Sequence, residues 1–258
     1  YIKQVRNLKK NEFVRDYHFP NLILLLPPGT DLHLSPVITS DMAVIQDKAS
    51  CVPSLILLDV LELPRSQPLK ILDACAAPGN KTTLILSGLE QLSQKSCLMA
   101  FDRDKRRQVV WCGYLFHQLC DNLRRMHDGV LKVNGVIEDR KVGTKAFNGV
   151  ICEAFLRDFL TIDPLNEAEF ADVTAILVDP TCSASGLRCK RPELAAQGQE
   201  DEASMVPNLF TPLAPWKSRG FVEDDNKDAT KMMARCLRSS AENDLTIGFF
   251  VACFKRRK

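Results

Sequence analysis

The stretch LKILDACAAPGNKT, residues Leu69–Thr82, decides the fold. Its first part, Leu69–Asp73, predicts a buried strand, and the small residues of Ala74–Asn80 predict a tight turn. An apolar periodicity then begins at Lys81 and predicts a helix. A strand, a turn and a helix in this order bring backbone N–H groups and a helix N-terminus to an anionic or polar ligand. The stretch therefore predicts an α/β fold with a ligand site at the turn.

An ordinary strand-to-helix connection is the alternative interpretation of this turn. Gly79 allows the backbone to approach a ligand closely because it carries no Cβ, and features further along the chain favour a ligand site. The glycine spacing excludes both the G-x-x-x-x-G-K-[ST] phosphate loop and the G-x-G-x-x-G fingerprint.

A second predicted strand, Ser96–Asp102, ends in an acidic residue. A carboxylate at this place in a doubly wound sheet commonly accepts hydrogen bonds from the ribose hydroxyls of an adenosine-type cofactor. The alternative is that Asp102 caps a helix predicted over Arg103–Leu119. Both interpretations hold together if Asp104 provides the cap.

Three further strands are predicted from apolar runs, and they lie at Gly149–Ala154, Val173–Val178 and Thr246–Phe254. The second of these is almost continuously apolar, as is typical of a strand buried on both faces. The polar stretch Asp121–Asn148 predicts an insertion or a loose connection. No strand is predicted between Leu187 and Asp244.

The sequence DPTCSASG, Asp179–Gly186, follows the strand predicted over Val173–Val178. It places an acid and the thiol of Cys182 at the carboxyl end of a strand, where open α/β sheets keep their active sites. A reduced core cysteine is the alternative interpretation of Cys182.

The composition describes an ordinary globular protein of 258 residues, with 45% hydrophobic and 26% charged residues and a net charge of +2. Such a chain forms one large domain, alone or with a small N-terminal extension. Basic clusters such as Lys105–Arg107 and Lys255–Lys258 are usually solvated surface, and nucleic-acid contact is the alternative. No apolar run approaches the length of a membrane span, so we expect no membrane partner.

The ten cysteines contain no C-x-x-C pair. Their even spread in apolar surroundings argues against a structural zinc site and against a secreted disulfide framework. We therefore expect no metal.

Four pieces of the chain resemble the NOL1/NOP2/Sun family of RNA cytosine-5 methyltransferases. These pieces are Asp73–Lys81, Phe101–Arg107, Asp179–Gly186 and Gly248–Phe254. Two others, Val44–Cys51 and Ala214–Gly220, look like the branch that modifies large-subunit ribosomal RNA. The resemblance covers nearly the whole chain in the expected order.

The resemblance implies a class I methyltransferase domain over residues 41–258, with a Rossmann-like, mostly parallel sheet, and part of a small RNA-binding subdomain over residues 1–40. It implies S-adenosylmethionine as cofactor, with its methionine part at the turn and its ribose at Asp102. The residues implied in cofactor binding are Cys75, Ala76, Ala77, Pro78, Gly79, Asn80, Lys81, Asp102, Arg107, Asp158 and Asp179. Of these, Asp158 would lie beside the adenine and Asp179 near the donor sulfonium.

The implied activity is methyl transfer to carbon-5 of a cytosine in RNA through a cysteine–cytosine adduct. The implied catalytic residues are Cys182 and Asp179. The implied partner is ribosomal RNA or a pre-ribosomal particle, and the implied location is the nucleolus, in ribosome biogenesis.

One departure from the family concerns its second cysteine. Cys182 matches the cysteine that assists release, whereas the family's nucleophile lies in a later strand ending S-T-C-S, which does not occur here. We expect that a segment of tens of residues, holding that strand, is missing between Cys189 and Gln199. The alternatives are an inactive RNA-binding assembly factor with the same fold and a small-molecule methyltransferase.

Overall fold

The computed structural model describes residues 2–61, 68–90, 95–103, 113–127, 129–137, 149–163, 165–180, 236–239 and 250–252. The chain divides into two compact units, one of residues 1–49 and 182–258 and the other of residues 50–181. In the described part of the chain, no helix is both long and apolar enough to cross a membrane.

The unit of residues 50–181 is built on a mostly parallel sheet. Its strands are β3 (Lys70–Asp73), β4 (Cys97–Asp102), β5 (Val130–Val133), β6 (Val136–Ile137), β7 (Ile151–Leu156) and β8 (Ala175–Leu177). The described sheet has the order β6-β5-β7-β4-β3-β8, and only β6 runs antiparallel to its neighbour. Because the chain lays β4 on one side of β3 and β8 on the other, a topological switch point lies at the carboxyl end of β3.

Both faces of this sheet are covered by apolar side chains. Helices α3 (Lys48–Val60), α4 (Asn80–Glu90) and α5 (Gly113–Met126) contribute to the unit, and the buried side chains of α4 and α5 pack on the face that holds Ile71. Successive strand residues point to opposite faces, so Leu72 joins a second cluster. There the ring of Phe101 stacks on Phe155 with centroids 4.6 Å apart. The two layers hold the carboxyl ends of β3 and β4 rigidly.

The predictions for the first strands are confirmed. The predicted runs Leu69–Asp73, Ser96–Asp102 and Gly149–Ala154 correspond to β3, β4 and β7, and the helix after the turn is α4. Each boundary agrees to within two residues, since a continuous apolar run specifies a central strand locally.

The strand predicted over Val173–Val178 is shorter than expected, and its burial was wrongly predicted. In the described part of the chain, β8 pairs only with β3 and lies at the sheet edge. The side chains of Ile176 and Val178 are 46% and 59% exposed. Apolar composition reports which residues suit burial and not whether a neighbour is present to bury them.

The prediction of a loose connection over Asp121–Asn148 is wrong for its described residues. Helix α5 continues to Met126, because Leu119 and Leu123 lie on one buried stripe. Strands β5 and β6 then form a hairpin whose turn residues, Asn134 and Gly135, have φ angles of 48° and 82°. Asn-Gly is the strongest short hairpin signal, and it was present in the sequence.

The other unit contains short elements. They are α1 (Ile2–Arg6), β1 (Val14–Arg15), β2 (Leu24–Leu25), α2 (Pro36–Thr39), β9 (Leu237–Arg238) and β10 (Phe250–Val251). Strand β10 lies within the strand predicted over Thr246–Phe254. Strand β9 pairs with it, so the prediction of no strand between Leu187 and Asp244 is wrong. A two-residue strand depends on its tertiary partner and leaves no periodicity to detect.

Candidate active site

The turn after β3 is packed tightly against α5. Gly79 has φ +110°, and a Cβ on it would lie 3.0 Å from Leu119 Cδ1. The Asn122 side-chain amide donates a hydrogen bond of 2.8 Å to the Pro78 carbonyl. Only glycine satisfies both the backbone conformation and the close approach. The packing against α5 therefore requires a glycine in this turn, whether or not a ligand binds there.

Asp73 fixes the turn through hydrogen bonds. It was not predicted from the sequence as a site residue. Its carboxylate is buried and accepts hydrogen bonds from the Thr82 hydroxyl at 2.8 Å and from the Cys75 N–H at 3.3 Å. Burial raises the pKa of Asp73 to about 6, although these two hydrogen bonds lower it in part. The signal for Asp73 that the sequence offered was an acidic residue at the end of a predicted buried strand.

Asp102 connects the end of β4 to the turn. Its Oδ2 accepts a hydrogen bond of 3.3 Å from the Ala77 N–H, and its side chain is half-buried. The structure thus brings Asp102 and the turn together, as the sequence predicts for two adjacent parallel strands.

Lys81 and Asp179 form the shortest charged contact of the site. Lys81 Nζ, in the first turn of α4, lies 2.6 Å from Asp179 Oδ2, which follows β8. The two side chains are 21% and 46% exposed, so both remain accessible to a ligand. The pair therefore places a cation from the start of α4 beside an anion from the segment after β8.

The Cys75 thiol lies among carboxylates. Burial raises the pKa of Cys75, and the nearby charges of Asp73, Asp102 and Asp179 raise it further. The thiolate is the nucleophilic form of cysteine, and this environment opposes it. Cys75 is therefore unsuited to be the nucleophile.

Asp158 lies just beyond the end of β7. Its Oδ1 accepts a hydrogen bond of 2.9 Å from the Leu160 N–H, and it caps the 3₁₀ turn Phe159–Thr161. Arg103 Nη1 lies 3.9 Å from Asp158 Oδ2. Because β7 pairs with β4, Asp158 lies on the side of the site that holds Asp102.

Arg157 fixes the loop that carries Asp158. This role was not predicted from the sequence. Its guanidinium binds Glu167 through two contacts of 2.6 and 2.8 Å and also donates to the Thr161 carbonyl at 2.8 Å. The hydrogen bonds from Arg157 lower the pKa of Glu167 to about 2. A bidentate pair of this kind limits the positions that Asp158 can take.

Two predicted site residues, Cys182 and Arg107, lie outside the described residues. The other predicted site residues all lie at the carboxyl ends of β3, β4, β7 and β8, in the turns that follow or at the start of α4: Cys75, Ala76, Ala77, Pro78, Gly79, Asn80, Lys81, Asp102, Asp158 and Asp179. Their clustering at one edge of a parallel sheet is the arrangement of a cofactor site in an open α/β fold.

Comparison with known families decides which α/β fold this is. A family model described as 16S rRNA methyltransferase RsmB/F matches residues 60–247. The chain belongs to this family. A second model, the ferredoxin-like domain of NOL1/NOP2/Sun domain family member 5, matches residues 1–46. The resemblance drawn from the four sequence pieces is therefore confirmed, and so is the class I methyltransferase fold. The RsmB/F methyltransferases use S-adenosylmethionine.

Similar proteins carry names of ribosomal RNA methyltransferases. The mouse "28S rRNA (cytosine-C(5))-methyltransferase" is 27% identical over 303 residues, covering 99% of this chain and 55% of the mouse protein. The fission yeast "25S rRNA (cytosine-C(5))-methyltransferase rcm1" is 30% identical over 210 residues, covering 81% and 37%. The Caenorhabditis elegans "26S rRNA (cytosine-C(5))-methyltransferase nsun-5" is 24% identical over 304 residues, covering 100% and 60%. The chain spans between 37% and 60% of the length of these relatives.

Proposed function

We propose that this RsmB/F family protein transfers a methyl group from S-adenosylmethionine to carbon-5 of a cytosine in large-subunit ribosomal RNA. The observation that carries the proposal is the contact of 2.6 Å between Lys81 and Asp179 beside the turn after β3. It joins the segment proposed to bind the donor to the segment that leads to Cys182. The names of the relatives favour this activity over the inactive assembly factor.

The described residues fit the donor. The turn offers backbone N–H groups beside a glycine whose missing Cβ leaves room for close approach. Asp102 would accept the ribose hydroxyls, and Asp158, with Arg107 nearby, would border the adenine. When bound, S-adenosylmethionine supplies an electrophilic methyl group.

The acceptor needs activation, because carbon-5 of cytosine is a poor nucleophile. A cysteine thiolate forms a bond to carbon-6, which gives carbon-5 enamine character so that it can take the methyl group. A base then removes the proton of carbon-5, and the carbon–sulfur bond breaks to release the thiolate. We assign assistance in this release to Cys182.

Asp179 stabilises the adduct in this proposal. Its carboxyl group would lie near N3 of the cytosine, toward which attack of the thiolate at carbon-6 pushes an electron pair, and would stabilise the adduct there by hydrogen bonding. Lys81 holds that carboxylate in place, and the exposed part of the Asp179 side chain leaves room for the base. The target nucleotide must leave its stack to reach this pocket, so a single-stranded or flipped cytosine is the substrate.

We propose that the attacking cysteine lies in a segment missing between Cys189 and Gln199. Strand β8 presents Ile176 and Val178 to solvent at an edge of the described sheet, as a strand that has lost a neighbour would. The alignments to the mouse and nematode proteins run over 303 and 304 residues, where this chain has 258. Those proteins thus hold matched-region residues that this chain lacks.

Sequencing of the messenger RNA between the codons for Cys189 and Gln199 tests this proposal. We expect tens of additional codons that encode an apolar strand followed by a cysteine. Uninterrupted codons, together with peptides of the natural protein that span the junction, would refute the missing segment.

We further propose that residues 1–40 form part of an RNA-binding subdomain and that the protein acts on ribosomal RNA or a pre-ribosomal particle in the nucleolus. The match of residues 1–46 to a ferredoxin-like domain supports the first point. The names of the eukaryotic relatives support the second.

Bisulfite sequencing of ribosomal RNA before and after deletion of the gene tests the activity. We expect one large-subunit cytosine to lose its methylation and to regain it when the natural gene is restored. A gene carrying Asp172→Asn, a change of an exposed acid away from the site, should restore it equally. An unchanged methylation map would favour the assembly factor.

Donor affinity tests the role of Asp102. We expect Asp102→Ala to weaken S-adenosylmethionine binding by about 1–3 kcal/mol, the usual cost of a lost charged hydrogen-bond partner. Calorimetry measures the affinity, and Asp172→Ala serves as control because its side chain is 84% exposed and lies beside Lys70, at the opposite end of β3 from the turn. Equal affinities of the two variants would remove Asp102 from the ribose site.

The pH dependence of stability tests the burial of Asp73. Its pKa is raised from the ordinary value of 3.8 to about 6 in the folded protein, so the folded state binds the proton more tightly. The free energy of unfolding should therefore fall as the pH rises from about 4 to about 6. The neutral variant Asp73→Asn should not show this fall. Relative to that of the natural protein, its free energy of unfolding should rise by about 1–3 kcal/mol between those pH values.

Urea unfolding of both proteins at several pH values measures the difference. The amide can still accept from the Cys75 N–H and can donate to the Thr82 hydroxyl, which has the Ala76 carbonyl 3.4 Å away as another acceptor. Parallel pH profiles for the two proteins would show that Asp73 is charged at no cost.

A further inference from the structure

An alternating row of side chains runs along the segment that contains β1. Phe13, Arg15 and Tyr17 are exposed, whereas Val14 is half-buried and Asp16 is buried. The two aromatic side chains are 61% and 60% exposed. Strand β1 spans only Val14–Arg15, but the alternation of exposed and covered side chains continues on both sides of it, and the Asp16 N–H also pairs with the Ile23 carbonyl, so the two rings and the guanidinium between them lie on one face.

Buried charges on the other face hold this row in place. Asp16 Oδ2 lies 2.6 Å from Lys48 Nζ, and both side chains are almost fully buried. Asp16 Oδ1 also accepts hydrogen bonds from the backbone N–H groups of His18 and Phe19 at 2.9 and 3.0 Å. The backbone of Asp16 pairs in turn with Ile23. The exposed rings thus stand on a fixed backbone, which lowers the entropy lost when a partner binds.

The neighbouring strand completes the face with apolar side chains. The register pairs Val14 with Leu25 and Arg15 with Leu24. Leu22, Leu24 and Leu26 are 61%, 54% and 41% exposed and lie on the same side as the rings. We name this face, formed by Phe13, Arg15, Tyr17, Leu22, Leu24 and Leu26, the hairpin face.

The charge of the hairpin face and its surroundings points to an anionic partner. The face holds a cation, Arg15, and no acidic residue. The preceding segment adds the exposed cations Arg6, Lys9 and Lys10 against one exposed acid, Glu12, whose carboxylate accepts a hydrogen bond from the Lys9 N–H. Aromatic rings beside cations are the surface on which unpaired bases stack while the phosphates are neutralised.

We infer that the hairpin face binds single-stranded RNA, with unpaired bases stacked on Phe13 and Tyr17 and Arg15 in contact with the backbone between them. This inference deepens the proposed function, on which it rests, by assigning the residues that hold the substrate strand outside the methyl-transfer site. A protein partner would use the leucines instead, and the experiment distinguishes the two.

Fluorescence anisotropy with a labelled single-stranded RNA of 20 nucleotides, and with the same strand in a duplex, tests the inference. The full natural protein is compared with Phe13→Ala/Tyr17→Ala. We expect the double variant to lose at least about tenfold in affinity for the single strand, since each stacked base contributes roughly 1–3 kcal/mol. The duplex affinity should change much less, and Phe13→Tyr/Tyr17→Phe should restore the binding.

Arg15→Ala gives an independent readout. We expect it to weaken binding and to reduce the slope of log affinity against log salt by about 1, as the loss of one phosphate contact does. Leu34→Ala is the matched control, because Leu34 is 93% exposed and lies outside the hairpin face.

Unchanged single-strand affinity in the double variant would overturn the inference. A change in the mass measured by light scattering with unchanged RNA affinity would also overturn it and would assign the face to a protein contact. S-adenosylmethionine calorimetry on the same variants separates this failure from that of the proposed function. Donor binding at natural affinity with lost RNA affinity supports the inference.

Discussion

Asp179→Asn is expected to lower the rate of methyl transfer by about two to four orders of magnitude, the usual size of a lost acid–base contribution. The amide keeps the shape of the carboxyl group but has neither its charge nor its acidic proton. It also leaves the Lys81 ammonium, 2.6 Å away in the natural protein, without its counter-charge. Single-turnover transfer of a radiolabelled methyl group to ribosomal RNA by the full natural protein measures the rate.

The control for this prediction is Asp172→Asn. That carboxylate lies 3.9 Å from Lys70 Nζ and its side chain is 84% exposed, so the change removes an acid of the same unit without touching the site. Donor affinity should stay nearly constant in Asp179→Asn if the residue acts on the base. A rate within threefold of the natural protein would contradict the role that we assign to Asp179.

Gly79→Ala is expected to lower the free energy of unfolding by about 2–6 kcal/mol, the sum of backbone strain and overpacking at roughly 1–3 kcal/mol each. The φ angle of +110° disfavours any side chain, and the new Cβ would lie 3.0 Å from Leu119 Cδ1. Leu119 is fully buried, and its side chain would have to shift by a few tenths of an ångström within the core. Urea unfolding measures the loss, and calorimetry should show weaker donor binding.

Two other glycines separate strain from collision. Gly29 and Gly135 have φ angles of +77° and +82°, and a Cβ on either would meet nothing within 4 Å. Gly29→Ala and Gly135→Ala should therefore show the strain alone, at roughly 1–3 kcal/mol. If Gly79→Ala costs no more than these two changes, the turn does not depend on its contact with α5.

The acidic residues of the site differ in how firmly the surrounding structure holds them. Asp73 and Asp102 bind backbone N–H groups of the turn itself, so they form part of its scaffold. Asp158 depends on a loop closed by the ion pair of Arg157 and Glu167, a contact that weakens as the pH falls toward the lowered pKa of Glu167, about 2. We therefore expect the side of the site that we propose for the adenine to be more sensitive to distant substitutions than the turn is.

The sequence by itself determined the centre of this fold. Strands β3 and β4, the turn between β3 and α4 and the acids at the strand ends follow from local patterns, because a continuous apolar run and a small-residue turn leave few conformations open. The same short pieces were enough to identify the family, since the chemistry at a turn depends on neighbouring residues.

Only the tertiary structure decided which distant residues meet. Lys81 contacts Asp179, and Arg157 binds Glu167, across distances in sequence that no local pattern predicts. The burial that raises the pKa of Asp73 likewise comes from elements packed around it. The position of β8 at an edge of the described sheet is of the same kind. An apolar strand has the same sequence whether one neighbour or two lie beside it, so its exposure is set by the rest of the chain.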